Sequence, residues 1–185
     1  MNWIIRQRTK LRDEARESQR GYLDGETHYV WGKRVLLKLV EENGFPSVEL
    51  RRSKLVVRVR PGADQNMREE IVSCWYRELL REAVPTLIET WEQRLEVVVN
   101  GFNLRQMKTL WGSCNPKTRT IRLNTELAKK PKGCLEYIVL HEMVHLIEGT
   151  HGPKFKALMD LYMPAWQVIR QELNRLPIGS ADWAY

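Results

Sequence analysis

The stretch Leu140-His141-Glu142-Met143-Val144-His145-Leu146 decides how the 185-residue chain reads. It is an H-E-x-x-H string inside a segment whose apolar periodicity marks it independently as helix, spanning about Lys132 to Glu148 after Pro131. Residues four apart share one helical face, so the imidazoles of His141 and His145 can converge on one zinc ion. Glu142 then points near the open coordination position, where it can take a proton from zinc-bound water. Val139, Met143, Val144 and Ile147 are left to pack against the core. With 4 His and 18 Glu in 185 residues, chance gives roughly 0.008 such strings per chain.

Zinc that keeps one position for water needs a third protein ligand, and His151 follows His145 by six residues. A continuing helix would carry position 151 away. Gly149, in the left-handed conformation that ends helices, is expected to turn the chain back, and Gly152-Pro153 to start the next helix.

Working outward, Asp64 is positioned to cap a helix of about thirty residues. Its expected core face is Met67, Ile71, Cys74, Trp75, Leu79, Ala83, Leu87, Trp91 and Leu95, with Pro85 kinking or dividing it. Before it, four β-rich runs (His28–Trp31, Val35–Val40, Ser47–Leu50 and Leu55–Val59) separated by Asn43-Gly44 and Phe45-Pro46 read as a small antiparallel meander. After it, Val97–Val99, Leu104–Leu110 and Thr120–Leu123 read as strands, the last two joined by a turn at Asn115-Pro116-Lys117. A final helix from Pro153 carries Phe155, Leu158, Met159 and Tyr162 and is kinked at Pro164. The expected class is α+β and zincin-like: a small antiparallel β-sheet packed on a long core helix and an active-site helix. Residues 1–24 read as an N-terminal charged helical segment and residues 25–185 as the zinc metallopeptidase-like domain.

No stretch approaches the roughly 18–20 apolar residues of a membrane span, and the first residues lack the apolar core of a signal peptide, so a cytoplasmic location is expected. Cys74, Cys114 and Cys134 are odd in number and far apart, which argues for reduced thiols. The net charge of +7 is uneven: residues 1–60 carry +6, 61–100 carry −4, 101–135 carry +7 and 136–185 carry −2. The most basic segment thus precedes the metal helix. Within it, Arg105 and Lys108 are candidate substrate-binding residues that would hold phosphates, or the surrounding hairpin would form a cleft wall for an extended peptide. Ser113 and Cys114 look like nucleophiles, but metal-activated water makes them unnecessary. Glu148, Tyr162 and His28 are further candidates to support the site, with exposed carboxylate, packing aromatic and surface strand histidine as their ordinary readings.

The ordered motifs Met107-Lys108-Thr109-Leu110-Trp111-Gly112-Ser113-Cys114, Ile121-Arg122-Leu123-Asn124 and the histidine string with His151-Gly152-Pro153 resemble the YgjP-like metallopeptidase-like family, distantly akin to the SprT-like and WLM peptidases. The resemblance runs from about Gly25 to Asn174. It implies zinc held by His141, His145 and His151, and Glu142 as catalytic base. Relatives usually have a further β-rich segment upstream of Trp3-Ile4. A zinc-dependent metallopeptidase acting on peptides is the leading expectation. The alternatives are a nucleotide hydrolase resembling UTP pyrophosphatases, and a nucleic-acid-associated protein with a structural or DNA-recruited zinc site.

Overall fold

The computed structural model describes residues 21–175. The N-terminal charged segment therefore lies almost entirely outside the described residues. Among the described residues, seven strands, five helical elements and two small sheets make an α+β fold. The chain begins with β1 (Thr27–Val30), β2 (Lys33–Glu41), β3 (Ser47–Arg51) and β4 (Lys54–Val59). Next come helix α1 (Gln65–Leu95), then β5 (Gly101–Arg105), β6 (Gly112–Asn115) and β7 (Thr120–Asn124). A 3-10 helix (Thr125–Lys129), α2 (Lys132–Val144), α3 (Pro153–Tyr162) and α4 (Trp166–Arg175) complete the order.

The sheets are not simple meanders. In the first, ordered β1-β2-β4-β3, β2 runs parallel to β4, and only the β1/β2 and β3/β4 pairs are antiparallel. The second repeats this plan as β5-β7-β6, with β5 parallel to β7. In both sheets the chain skips one position and a hairpin then returns into the gap. The turn at 115–117 occurs where expected, but the strand entering it is β6. Residues 106–111 form a loop, and Val97–Val99 are not strand.

Helix α1 is unbroken over 31 residues, and the Asp64 carboxylate accepts the Met67 amide at 2.8 Å at its start. Pro85 sits on the exposed side and does not divide it. Its buried row is Val72, Tyr76, Leu80, Val84, Ile88, Trp91 and Leu95, which displaces most of the expected core face by one position. Two adjacent apolar rows compete on this helix. Ile71, Trp75, Leu79, Ala83 and Leu87 flank the core half-buried, while Met67 and Cys74 are exposed.

The first sheet holds the histidine-bearing helix α2 through its β1–β2 turn. Trp31 and Gly32 donate their amides to the Ala128 and Lys129 carbonyls at 2.9 and 3.1 Å. Gly32, at φ +77°, lies so close to Pro131 that a Cβ would sit 2.7 Å from its Cγ. Only glycine combines that backbone conformation with that contact. Helix α2, almost wholly buried, starts at this anchor. Pro164 separates α3 from α4, whose Trp166 and Leu173 return to the core.

Candidate metal centre

Helix α2 ends at Val144, with His145 as its C-cap in right-handed conformation, four residues before the expected end. The amides of Leu146 and Ile147 then reach back three residues, to Met143 and Val144, in a tightened last turn. Gly149 is not among the residues with positive φ, and a Cβ there would meet nothing within 4 Å. The left-handed termination expected of Gly149 is thus absent. The reversal comes from the tightened turn, and the Glu148 carboxylate, which accepts the Thr150 amide and hydroxyl at 3.3 and 3.0 Å, holds the approach to His151.

The three histidines converge. His151 Nε2 lies 3.0 Å from both His141 Nε2 and His145 Nε2, and one ligand atom from each residue falls within 4.8 Å of the others. His145 Nδ1 is 3.0 Å from the Glu148 carbonyl oxygen, which can only accept, so Nδ1 carries the proton and the Nε2 lone pair faces its neighbours. Burial holds all three imidazoles below the ordinary histidine range, His141 to about 3, with the positive charges of neighbouring imidazoles and Arg170 adding to the effect at His141 and His151. Three neutral imidazoles aimed at one point suit a divalent cation with nitrogen preference. Tetrahedral zinc at about 2.0–2.1 Å from each nitrogen would set the nitrogens roughly 3.3 Å apart.

Phe155, buried on α3, packs against all three rings with centroid separations of 4.6–4.9 Å. Tyr137 meets His141 from the preceding turn of α2 at 5.7 Å. Sequence reading gave Phe155 only a place on the last helix.

Glu142 is 2 % exposed, and burial pushes its carboxyl up to about 8. Space for it exists because residue 112 is glycine: a Cβ there would lie 2.4 Å from Glu142 Oε1 and 2.7 Å from its Cγ. Gly112 thus permits a close approach of β6 to the Glu142 carboxylate. Cys114, two residues along β6, has its thiol pushed up to about 11 by burial and then by the Glu142 charge, so it is a protonated thiol and a poor nucleophile. A small cleft with about 10 Å³ of free volume is lined by His141, Glu142, Trp111, Tyr137, Ile138, Arg170, Leu173 and Asn174. Arg170 joins the site from α4, 28 residues from Glu142, and no local spacing announced it.

The other candidates fall elsewhere. Arg105 and Lys108 are exposed, at the end of β5 and in the following loop, and do not line the cleft. Tyr162 packs edge-on against Trp91 at 6.3 Å. His28 is buried rather than on the surface, 3.4 Å from the Glu26 carboxylate. Glu148 supports the site through its carbonyl.

A family model described as "YgjP-like, metallopeptidase domain" matches residues 1–176. The chain belongs to this YgjP-like family. Among solved structures, the zymogen of Pyrococcus abyssi abylysin is similar at 22 % identity, covering 49 % of this chain and 90 % of that one with a TM-score of 0.46. The Methanocaldococcus jannaschii jannalysin zymogen is similar at 24 % identity, covering 51 % and 92 % with a TM-score of 0.41. A search of curated protein sequences gave no match. Membership of this family supports a metal-dependent hydrolase of the metallopeptidase kind. Among the described residues, no helix is long and apolar enough to cross a membrane.

Proposed function

We propose that this YgjP-like protein is a zinc-dependent peptidase in which His141, His145 and His151 hold the ion and Glu142 is the general base. The observation that carries the reading is the buried Glu142 carboxylate, seated against Gly112 of β6 and one residue from a convergent histidine. Zinc there supplies Lewis acidity, polarising a scissile carbonyl and making water more acidic. Glu142 takes a proton from the attacking water on its carboxylate and delivers it to the leaving amine. Phe155 and the Glu148 carbonyl keep the imidazoles oriented, and Arg170 gives the cleft a fixed positive charge.

Peptide is favoured over nucleotide by two features. Strand β6 ends its sheet, pairing with β7 alone among the described strands, so its outer backbone groups are placed to pair with an extended peptide. The cleft wall is largely apolar, and among the described residues Arg170 is its one Lys or Arg, whereas Arg105 and Lys108 lie outside it.

The test is a panel of unstructured casein and nucleoside triphosphates, run on wild type and Glu142→Gln with zinc content measured. Casein cleavage that chelator abolishes, zinc restores and Glu142→Gln loses while keeping one zinc per chain is the expected result. Pyrophosphate release from UTP with that same dependence, and intact casein, would overturn it.

A further inference from the structure

Eight basic residues crowd positions 101–135, and the fold divides them into two groups. Four are engaged. Lys129 pairs with Glu126 at 2.7 Å, Lys130 is buried over the Trp111 ring, Lys132 lies over Trp31, and Arg119 donates to the Val98 carbonyl. The other four, Arg105, Lys108, Lys117 and Arg122, are exposed, and among the described residues no carboxylate forms a salt bridge with any of them.

Register places these cations on one surface. Asn103 of β5 lies opposite Arg122 of β7, which lies opposite Ser113 of β6, so the three share a face. Arg105, two residues beyond Asn103, lies on that face as well, roughly 8 Å diagonally from Arg122 by strand geometry. Thr120 and Asn115 continue it toward Lys117 in the turn, and Lys108 lies at the Arg105 end, in the loop whose Met107 and Leu110 carbonyls accept from the Asn124 side chain at 2.8 Å. The inner face, with Phe102, Ile121 and Leu123, packs on the core. A cationic track therefore crosses the outer face of the sheet, separate from the cleft.

We propose that this face binds the phosphodiester backbone of single-stranded nucleic acid through Arg105, Lys108, Lys117 and Arg122. Guanidinium groups match phosphate oxygens in paired hydrogen bonds, and Asn103, Ser113, Asn115 and Thr120 add the uncharged partners common at nucleic-acid backbones. An acidic peptide is a poorer fit, because the face has no apolar socket for side chains. A duplex is poorer too, because among the described residues no helix projects from this face to enter a major groove about 12 Å wide. With no aromatic among the described strand residues of this face for bases to stack on, binding is blind to sequence and dominated by salt.

The test is fluorescence anisotropy of a labelled thymidine 20-mer with the zinc-loaded full chain. Four phosphate contacts on a single strand predict a slope of log affinity against log salt of roughly −3, so binding weakens about 50-fold between 50 and 200 mM salt. Replacing Arg105, Lys108, Lys117 and Arg122 together by Gln is expected to cost at least about tenfold at 50 mM salt. Arg122→Gln alone should make the slope shallower by roughly 0.7. A control replacing Lys33, Arg52, Lys54 and Arg175 by Gln removes the same charge elsewhere and should leave most of the affinity. Absence of binding by wild type, wild-type binding by the fourfold variant, an equal loss in the control, or equally tight binding of a polyglutamate 20-mer would each overturn the proposal.

Discussion

Gly112→Ala is the sharpest perturbation of Glu142, the proposed general base, that leaves every charged and proposed metal-binding group in place. Gly112 does not have a positive φ, so the backbone itself accepts alanine. The obstacle is space. The new Cβ would stand 2.4 Å from Glu142 Oε1, 2.7 Å from Cγ and 2.8 Å from Cδ. Ordinary contact begins near 3.4 Å, so the carboxylate or β6 must move by about 1 Å. Glu142 is 2 % exposed and cannot swing into solvent without unpacking its surroundings. Overpacking of this kind costs about 1–3 kcal/mol, and each kcal/mol lowers the Tm of a chain this size by about 2–4 °C. Displacing a general base by about 1 Å reduces kcat roughly 100-fold. Casein turnover, zinc content and thermal melting on one preparation separate the effects: activity and Tm should fall while zinc stays at one per chain. A double-mutant cycle with Glu142→Ala checks the cause, because the stability cost of Gly112→Ala should nearly vanish once the facing side chain is gone. Activity within about twofold of wild type and an unchanged Tm, or an undiminished cost in the Glu142→Ala background, would refute the reasoning.

Gly149→Val should keep zinc and melt close to wild type, because no positive φ and no neighbour within 4 Å constrain that position; zinc loss measured by metal analysis would show that the turn needs glycine. Gly32→Ala meets both a positive φ and a Cβ contact of 2.7 Å with Pro131, so urea unfolding should show a loss of about 2–4 kcal/mol, and no loss would mean the anchor of α2 is elsewhere. The buried Lys130 amine has its pKa pushed down from 10.5 to about 8 by burial. Between those values the unfolded chain binds the proton that the folded chain releases, so stability rises with pH. Relative to Lys130→Met, wild type should therefore gain stability between pH 8 and 10.5, and a flat difference in unfolding free energy would show that Lys130 does not titrate in this way.

What the sequence disclosed and what it withheld divide along separation in the chain. His141, Glu142, His145 and His151 lie within eleven residues, so helical spacing and one turn suffice to assemble them. Even there, glycine as the usual helix terminator points to Gly149 for the turn, whereas a tightened last turn reverses the chain. The groups that make the histidines into a chemical site come from farther away. Gly112 clears space for a carboxylate 30 residues later, and Arg170 returns from a helix placed by the break at Pro164. Strand existence was legible from β-branched runs, but β2/β4 pairing was not. A short connection normally implies neighbouring antiparallel strands, and here β4 slips between β2 and β3. Along α1, two apolar rows one residue apart satisfied the same periodicity, and only the packing surface of the neighbouring elements selected Val72, Tyr76, Leu80 and Val84 for burial. The same distinction explains the basic segment. Composition gave its charge, but strand register alone decides which cations are consumed by the interior and which share the outer face. Removing Arg105 or Arg122 should therefore leave the proposed peptide turnover at the histidine site intact, whereas adding one methyl group at Gly112 should not.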